Sequence, residues 1–322
     1  MATHVTSATQ PLLPARGGGN RNYSGQPGHE HTGDNNNMAK TSCKECCTKE
    51  FHPRNFGLSH ESPELFATAQ GGFGIAYVIY RVIWALFHVT WIILSGVIPY
   101  SWYSSEPNRV KWFIYLTNWS YLILTVSAIM QAAVAINHYV ERRKHGGVPY
   151  PAMTWYLKMA WVIYNISSNA AIVVTALFWG LIFPAYLATG TELHYIDVGT
   201  HGGNTLYVLI DIFITATPVR IYHFLHPFLF GATFLVFSAI YDVTNGTNAL
   251  DKEYIYSVLD WTSNAGSAAM YAVLVALVAI PLVQCVLYGL YRLRTALYGC
   301  CCPRSVGPLD NESGDKQEYG MA

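Results

Sequence analysis

Three features of this 322-residue sequence predict an all-α integral membrane bundle of six transmembrane helices with disordered cytoplasmic tails. Only 12% of its residues are charged and 52% are apolar, whereas soluble domains carry about 25% charged residues, so the expected solvent is lipid. Six apolar segments follow one another at residues 73–98, 112–136, 154–186, 205–219, 224–241 and 266–291. Most approach the roughly 20 residues that about 30 Å of hydrocarbon requires. The third feature is charge placement. With an inside N-terminus and six crossings, the outer loops hold only Arg109, Lys111 and Lys252. The inner segments hold the other basic residues, among them Arg142, Arg143, Lys144, Arg220, Arg292 and Arg294, as the positive-inside bias demands. Five crossings would put the basic C-terminal tail outside.

Residues 1–70, rich in Gly, Asn, Thr, Pro and His, read as a disordered cytoplasmic tail without a secretory signal, so the first span must direct insertion. Residues 71–291 form the transmembrane domain and 292–322 a second cytoplasmic tail. Both termini are expected in the cytoplasm, with the protein in the plasma membrane or an endomembrane.

Several spans carry polar groups at helical spacing. Span one offers Arg81, Trp84, His88, Trp91 and Ser95; span two offers Thr117, Ser120, Leu124, Ser127 and Gln131. Span three adds Asn165, Ser168, Asn169 and Thr175. Unpaired polar atoms in hydrocarbon cost several kcal/mol apiece, so these stripes are expected to face the bundle interior. Span four is short but carries the most pointed stripe: His201, Asn204, Val208, Asp211 and Thr215 at i, i+3, i+7, i+10 and i+14. A carboxylate at Asp211 costs roughly 2.5–3.5 kcal/mol on insertion scales, which marks it as a functional-site candidate. Arg81 is the natural partner, and an Arg81–Asp211 pair is expected. His88 and Asn118 complete the candidate polar core. Span five opens on His226-Pro227, a first-turn proline.

Of the glycosylation sequons, only Asn245-Gly246-Thr247 falls in an expected outer loop. None of the seven cysteines does, so no disulfide scaffold is expected. Cys300, Cys301 and Cys302 follow the last span and a basic cluster, the setting for S-palmitoylation. Cys43, Cys46 and Cys47 lack a second ligand pair for zinc, and Glu192, His194, Asp197 and His201 match no metal-ligand spacing. No metal, cofactor or nucleic-acid partner is expected. The bilayer is the expected partner, and protein partners are left open.

The run from Lys111 to Trp119, with Leu116-Thr117-Asn118-Trp119 at its end, followed by His201-Gly-Gly-Asn204 and Asp211, resembles the rolling stone family of animal multi-pass membrane proteins. The resemblance covers about residues 101–294 and implies a part in cell–cell or membrane interaction, by way of the family's link to myoblast fusion. The chain is more distantly similar to the androgen-induced hydrolases of fatty-acid esters. That likeness implies an intramembrane threonine nucleophile at Thr117 and a lipid-ester ligand. Their catalytic histidine position is occupied here by Asn204, whose amide cannot take the threonine's proton. His201, one helical turn earlier, would have to serve as base, with Asp211 orienting it.

Overall fold

The computed structural model describes residues 50–301 apart from residues 73, 98–104, 146–149, 151, 189 and 191–192. Among them the regular structure is all helical, with isolated bridges only at Ala69–Gly72 and Ala69–Thr215. Nine α segments follow in order: α1 (Ile75–Val97), α2 (Leu116–His145), α3 (Trp155–Leu177), α4 (Phe183–Ala188), α5 (Tyr195–Val198), α6 (Asn204–Ile214), α7 (Leu225–Val243), α8 (Ala265–Leu274) and α9 (Ile280–Cys301). Single π turns at Phe178–Ile182, Gly199–Gly203 and Val275–Ala279 join α3 to α4, α5 to α6 and α8 to α9 without a break. Among the described residues, five helical runs are long and apolar enough to cross a membrane: Ile75–Val97, Leu116–Lys144, Trp155–Ile182, Ile221–Val243 and Ala265–Gly299.

The fourth expected span differs. Its helix stops at Ile214, and the chain leaves extended through Thr215 rather than continuing to Val219. The helical run instead starts earlier, at Tyr195, where His194 and Asp197 form a reciprocal capping box. Residues 195–214 thus make one rod about 30 Å long, with a polar first half and an apolar second half.

These helices are the reverse of soluble ones. On α1 the side chains of Tyr77, Arg81, Ala85, His88 and Ser95 are buried, while Ile79, Ile83, Leu86 and Ile93 face outward. Lipid accepts isoleucine at no cost, whereas guanidinium and imidazole need protein partners, so the periodicity turns the polar stripe inward. The stripe on α2 is buried in the same way at Ser120, Leu124, Ser127 and Gln131. Ala85, Ala128 and Ala132 let α1 and α2 pack closely. Central α3 touches α2, α6, α7 and α9, and its stretch Ser167–Ala171 is buried on all sides.

Buried residues are found before residue 70 and after residue 291 as well. Phe66 and Ala67 are buried against Leu157, Ala160 and Trp161. The strap they belong to pairs with the extended chain after α6, through Gln70 N–H to Ile214 O at 2.8 Å and Ala216 N–H to Thr68 O at 2.9 Å. Arg220 donates to the carbonyls of Gly57 and Ser59, and Phe56 stacks on Tyr222 at 4.0 Å. Apolar residues in a polar-looking stretch, Phe66 above all, hold it in place. At the other limit α9 continues to Cys301. Residues 1–49 and 302–322, and the side chains of Cys300, Cys301 and Cys302 expected to be acylated, lie outside the described residues.

Candidate functional site

The buried polar centre lies where α1 crosses the rod of residues 195–214. The two run antiparallel: Tyr77 meets Thr215, Arg81 meets Asp211, His88 meets Tyr207, and Trp91 meets Gly199. Gly199 permits this approach, since a Cβ there would sit 2.9 Å from the Trp91 ring. Long side chains therefore bridge the two helices at successive levels from Tyr77 to Trp91.

The expected Arg81–Asp211 pair forms at the middle of this seam, Nη1 to Oδ1 at 2.6 Å, with both side chains 1% exposed. Tyr80 donates to the same carboxylate oxygen at 3.0 Å. The Arg81 guanidinium also donates from Nε and Nη2 to the Tyr77 hydroxyl, at 2.8 and 2.6 Å, and lies over the Tyr77 ring. Tyr77 continues to Thr215, and Thr215 to Thr217. A single ion removed from this cluster would leave its partner charged and dry, at about 3–5 kcal/mol. Asp211 Oδ2 makes no hydrogen bond.

Sequence reasoning placed Arg294 among the exposed inner charges, and the structure buries it completely. Its guanidinium enters at the C-terminal end of α6 and donates to the carbonyls of Ile212, Thr215, Ala216 and Thr217. A helix end leaves its last carbonyls unpaired and carries negative partial charge, so a buried cation there is doubly satisfied. The signal was present in the sequence. Ile280, Gln284, Leu287, Tyr291 and Arg294 step along one face of α9, and Gln284 is itself buried, donating to Arg220 O at 2.9 Å.

The remaining candidates settle into local roles. His88 Nδ1 lies 3.1 Å from the Tyr121 hydroxyl, and its ring is enclosed by Trp84, Phe87 and Tyr207. Asn118 is half-buried in the first turn of α2 and donates to Trp112 O at 2.6 Å, so it caps the preceding turn rather than joining the polar core. Asn204 is buried, and its Oδ1 accepts from Thr175 Oγ1 at 3.1 Å and Thr205 N–H at 2.7 Å. That amide ties α6 to α3. Asn245 is exposed with φ of 63°, while the hydroxyl of its sequon Thr247 accepts from Lys111 Nζ at 2.6 Å.

Thr117, His201 and Asp211 do not assemble into a relay. The His201 ring lies flat on Phe178, centroids 3.7 Å apart, and its Nδ1 has no hydrogen-bond partner. The Thr117 side chain instead sits against the Tyr256 hydroxyl. Asp211 is engaged by Arg81 and Tyr80. A nucleophile without a bonded base has no route for its proton, so this arrangement does not support the threonine hydrolase.

Long apolar helices that turn charged and aromatic-hydroxyl side chains inward define a multi-pass α-helical integral membrane protein with an ion-paired core. The sequence profile described as Protein rolling stone matches residues 37–306, and the chain belongs to that family. It is similar to Protein rolling stone of Drosophila melanogaster, 28% identical over 254 residues, which is 76% of this chain and 89% of the relative. No solved structure matches it.

Proposed function

We propose that this chain is a six-pass membrane protein, with both termini in the cytoplasm, that takes part without catalysis in contact between cells or membranes, a fusion-type role carried over from its family resemblance. The observation that carries this reading is the closed polar core. Arg81, Asp211, Tyr80 and Tyr77 bond one another, while Thr117 meets Tyr256 and the His201 ring lies on Phe178. A centre so occupied serves to hold six helices in one arrangement. The sixth crossing is the rod of residues 195–214, long enough to span and antiparallel to α1. An even number of crossings puts the two ends on one side, in agreement with the basic residues of the inner segments.

The test uses two cell populations, each with its own cytosolic fluorophore and both displaying the full chain. A rise in doubly labelled or adherent cells over cells displaying an unrelated six-pass protein is the expected result. Unchanged contact and mixing, with the chain verified in the plasma membrane, would overturn the role. Tags at both ends that are accessible on opposite faces of intact cells would overturn the topology.

A further inference from the structure

Away from the ion pair, the space between α3, α7 and α8 opens into an apolar cavity of about 80 Å³. Packed interiors rarely leave voids much larger than a water molecule, and one water needs only about 10–15 Å³ of such space, so this gap holds room for several. No charged side chain lines it. Its walls are Val174, Leu177 and Leu181 on one side and Phe234, Ala272 and Ala276 on the other.

Two of the three π turns border this one space. Phe178–Ile182 contributes Phe178, Leu181 and Ile182, and Val275–Ala279 contributes Val275 and Ala276. A π turn carries an extra residue that shifts the helix face beyond it, and such turns cluster at functional sites. Small residues widen the gap further, with Gly231, Ala272 and Ala276 where larger side chains would close it. The outer face of the same helix carries Met270, Val273, Leu274 and Leu277, all exposed, so lipid tails lie directly beyond this wall.

The polar atoms are confined to one end. There the Tyr256 hydroxyl rests against Thr117 and the first backbone N–H groups of α2, which have no helical partner. The loop after α7 is pinned beside this end: Ala249 N–H donates to the Tyr115 hydroxyl at 3.0 Å, and Lys111 Nζ to Thr247 Oγ1 at 2.6 Å. The free volume is small and its lining apolar, which suits a hydrocarbon chain better than a fused-ring body.

We propose that this cavity binds the chain of an uncharged single-chain membrane lipid, with its hydroxyl-bearing head at Thr117 and Tyr256. The absence of charge from the lining disfavours a phosphate or carboxylate head, and the paired Thr117 and Tyr256 hydroxyls, each able to donate and to accept, suit an alcohol or ester oxygen. Binding requires no base, so it is compatible with a Thr117 hydroxyl that bonds Tyr256 rather than His201. It is also independent of the role in cell contact, because the readout below is binding alone.

The probe is a monoacylglycerol carrying a diazirine and an alkyne in its chain, photolysed with the purified full-length protein in nanodiscs. Crosslinks are expected within residues 231–235 and 271–280 and are expected to be competed by unlabelled monoacylglycerol. Ala276→Trp, which fills the cavity, should abolish them, and Leu277→Trp on the lipid-facing side should leave them intact. Ala272→Leu serves as the second cavity-filling variant should Ala276→Trp fail to fold. Thr117→Val should weaken competition about threefold to tenfold, the loss of one hydrogen bond. Crosslinks spread over the outward residues, or labelling of the cavity peptides unchanged by filling variants that fold, would overturn the proposal.

Discussion

The seam between α1 and α6 and the space between α3, α7 and α8 belong to one bundle yet are built on opposite terms. In the seam, Arg81, Asp211 and Arg294 each meet a charge or a set of carbonyls, and aromatic rings close around them. In the other region no charge is present, and apolar side chains line an open volume. The difference has a physical cause. An unpaired ion in a dry site costs several kcal/mol, so helices that carry ions are held in one register. An apolar gap beside lipid has a cheap filler in the lipid tail, so nothing forces it shut. Charge makes one region rigid, and its absence leaves the other free to accommodate a guest.

The largest test of this contrast removes one ion from the seam. Asp211→Ala is expected to lower stability by about 3–5 kcal/mol, because Arg81 is left charged and buried. Arg81→Ala should cost a similar amount. The double variant should lose at least about 1 kcal/mol less than the sum, measured by denaturant unfolding in a fixed detergent. Strict additivity would show that the two do not act as a unit. Next in size is Arg294→Gln, expected to cost about 1.5–3 kcal/mol as carbonyls at the end of α6 lose a charged donor. A variant as stable as the parent would remove Arg294 from the seam.

A same-size change in each region sharpens the comparison further. Ala128→Leu adds volume where α1 and α2 touch and should cost about 1–3 kcal/mol, as overpacking does. Ala272→Leu extends into existing space and should stay within about 1 kcal/mol of the parent by thermal melting. Equal losses at both sites would mean that the cavity is closed in solution.

The smallest expected effect lies at the strap. Burial and the nearby Arg220 hold the His60 imidazole below its ordinary range, so the docked strap prefers the neutral ring. A released strap takes up a proton as pH falls below about 6.5, so docking weakens in acid. Burial raises the Glu50 carboxyl, which works the other way and tightens docking as pH falls. Hydrogen exchange at residues 53–66, corrected for intrinsic rate, should be faster at pH 5.5 than at 7.5 in the parent. His60→Gln should abolish that acceleration; its persistence would assign the effect to another group.

Much of this architecture was legible in the residues. The stripe His201, Asn204, Val208, Asp211 and Thr215 is buried throughout, and Arg81 does find Asp211. Periodicity and hydrocarbon cost suffice for that, since a polar residue in an apolar helix has few places to go. Arg294 escaped because a basic residue near a span end is ordinarily a cytoplasmic charge, and only its alignment with Gln284 hinted otherwise. Phe66 escaped because one aromatic residue in a polar stretch has no period to reveal it.

Composition and spacing alone determined that the chain lives in lipid, which segments are helical and which face of each turns inward, because solvation acts residue by residue. Tertiary structure decided which polar groups meet, where α6 stops, and that Thr117 bonds Tyr256 rather than His201. Those outcomes depend on helix ends, π turns and side-chain reach between segments distant in the chain, and no local pattern records them.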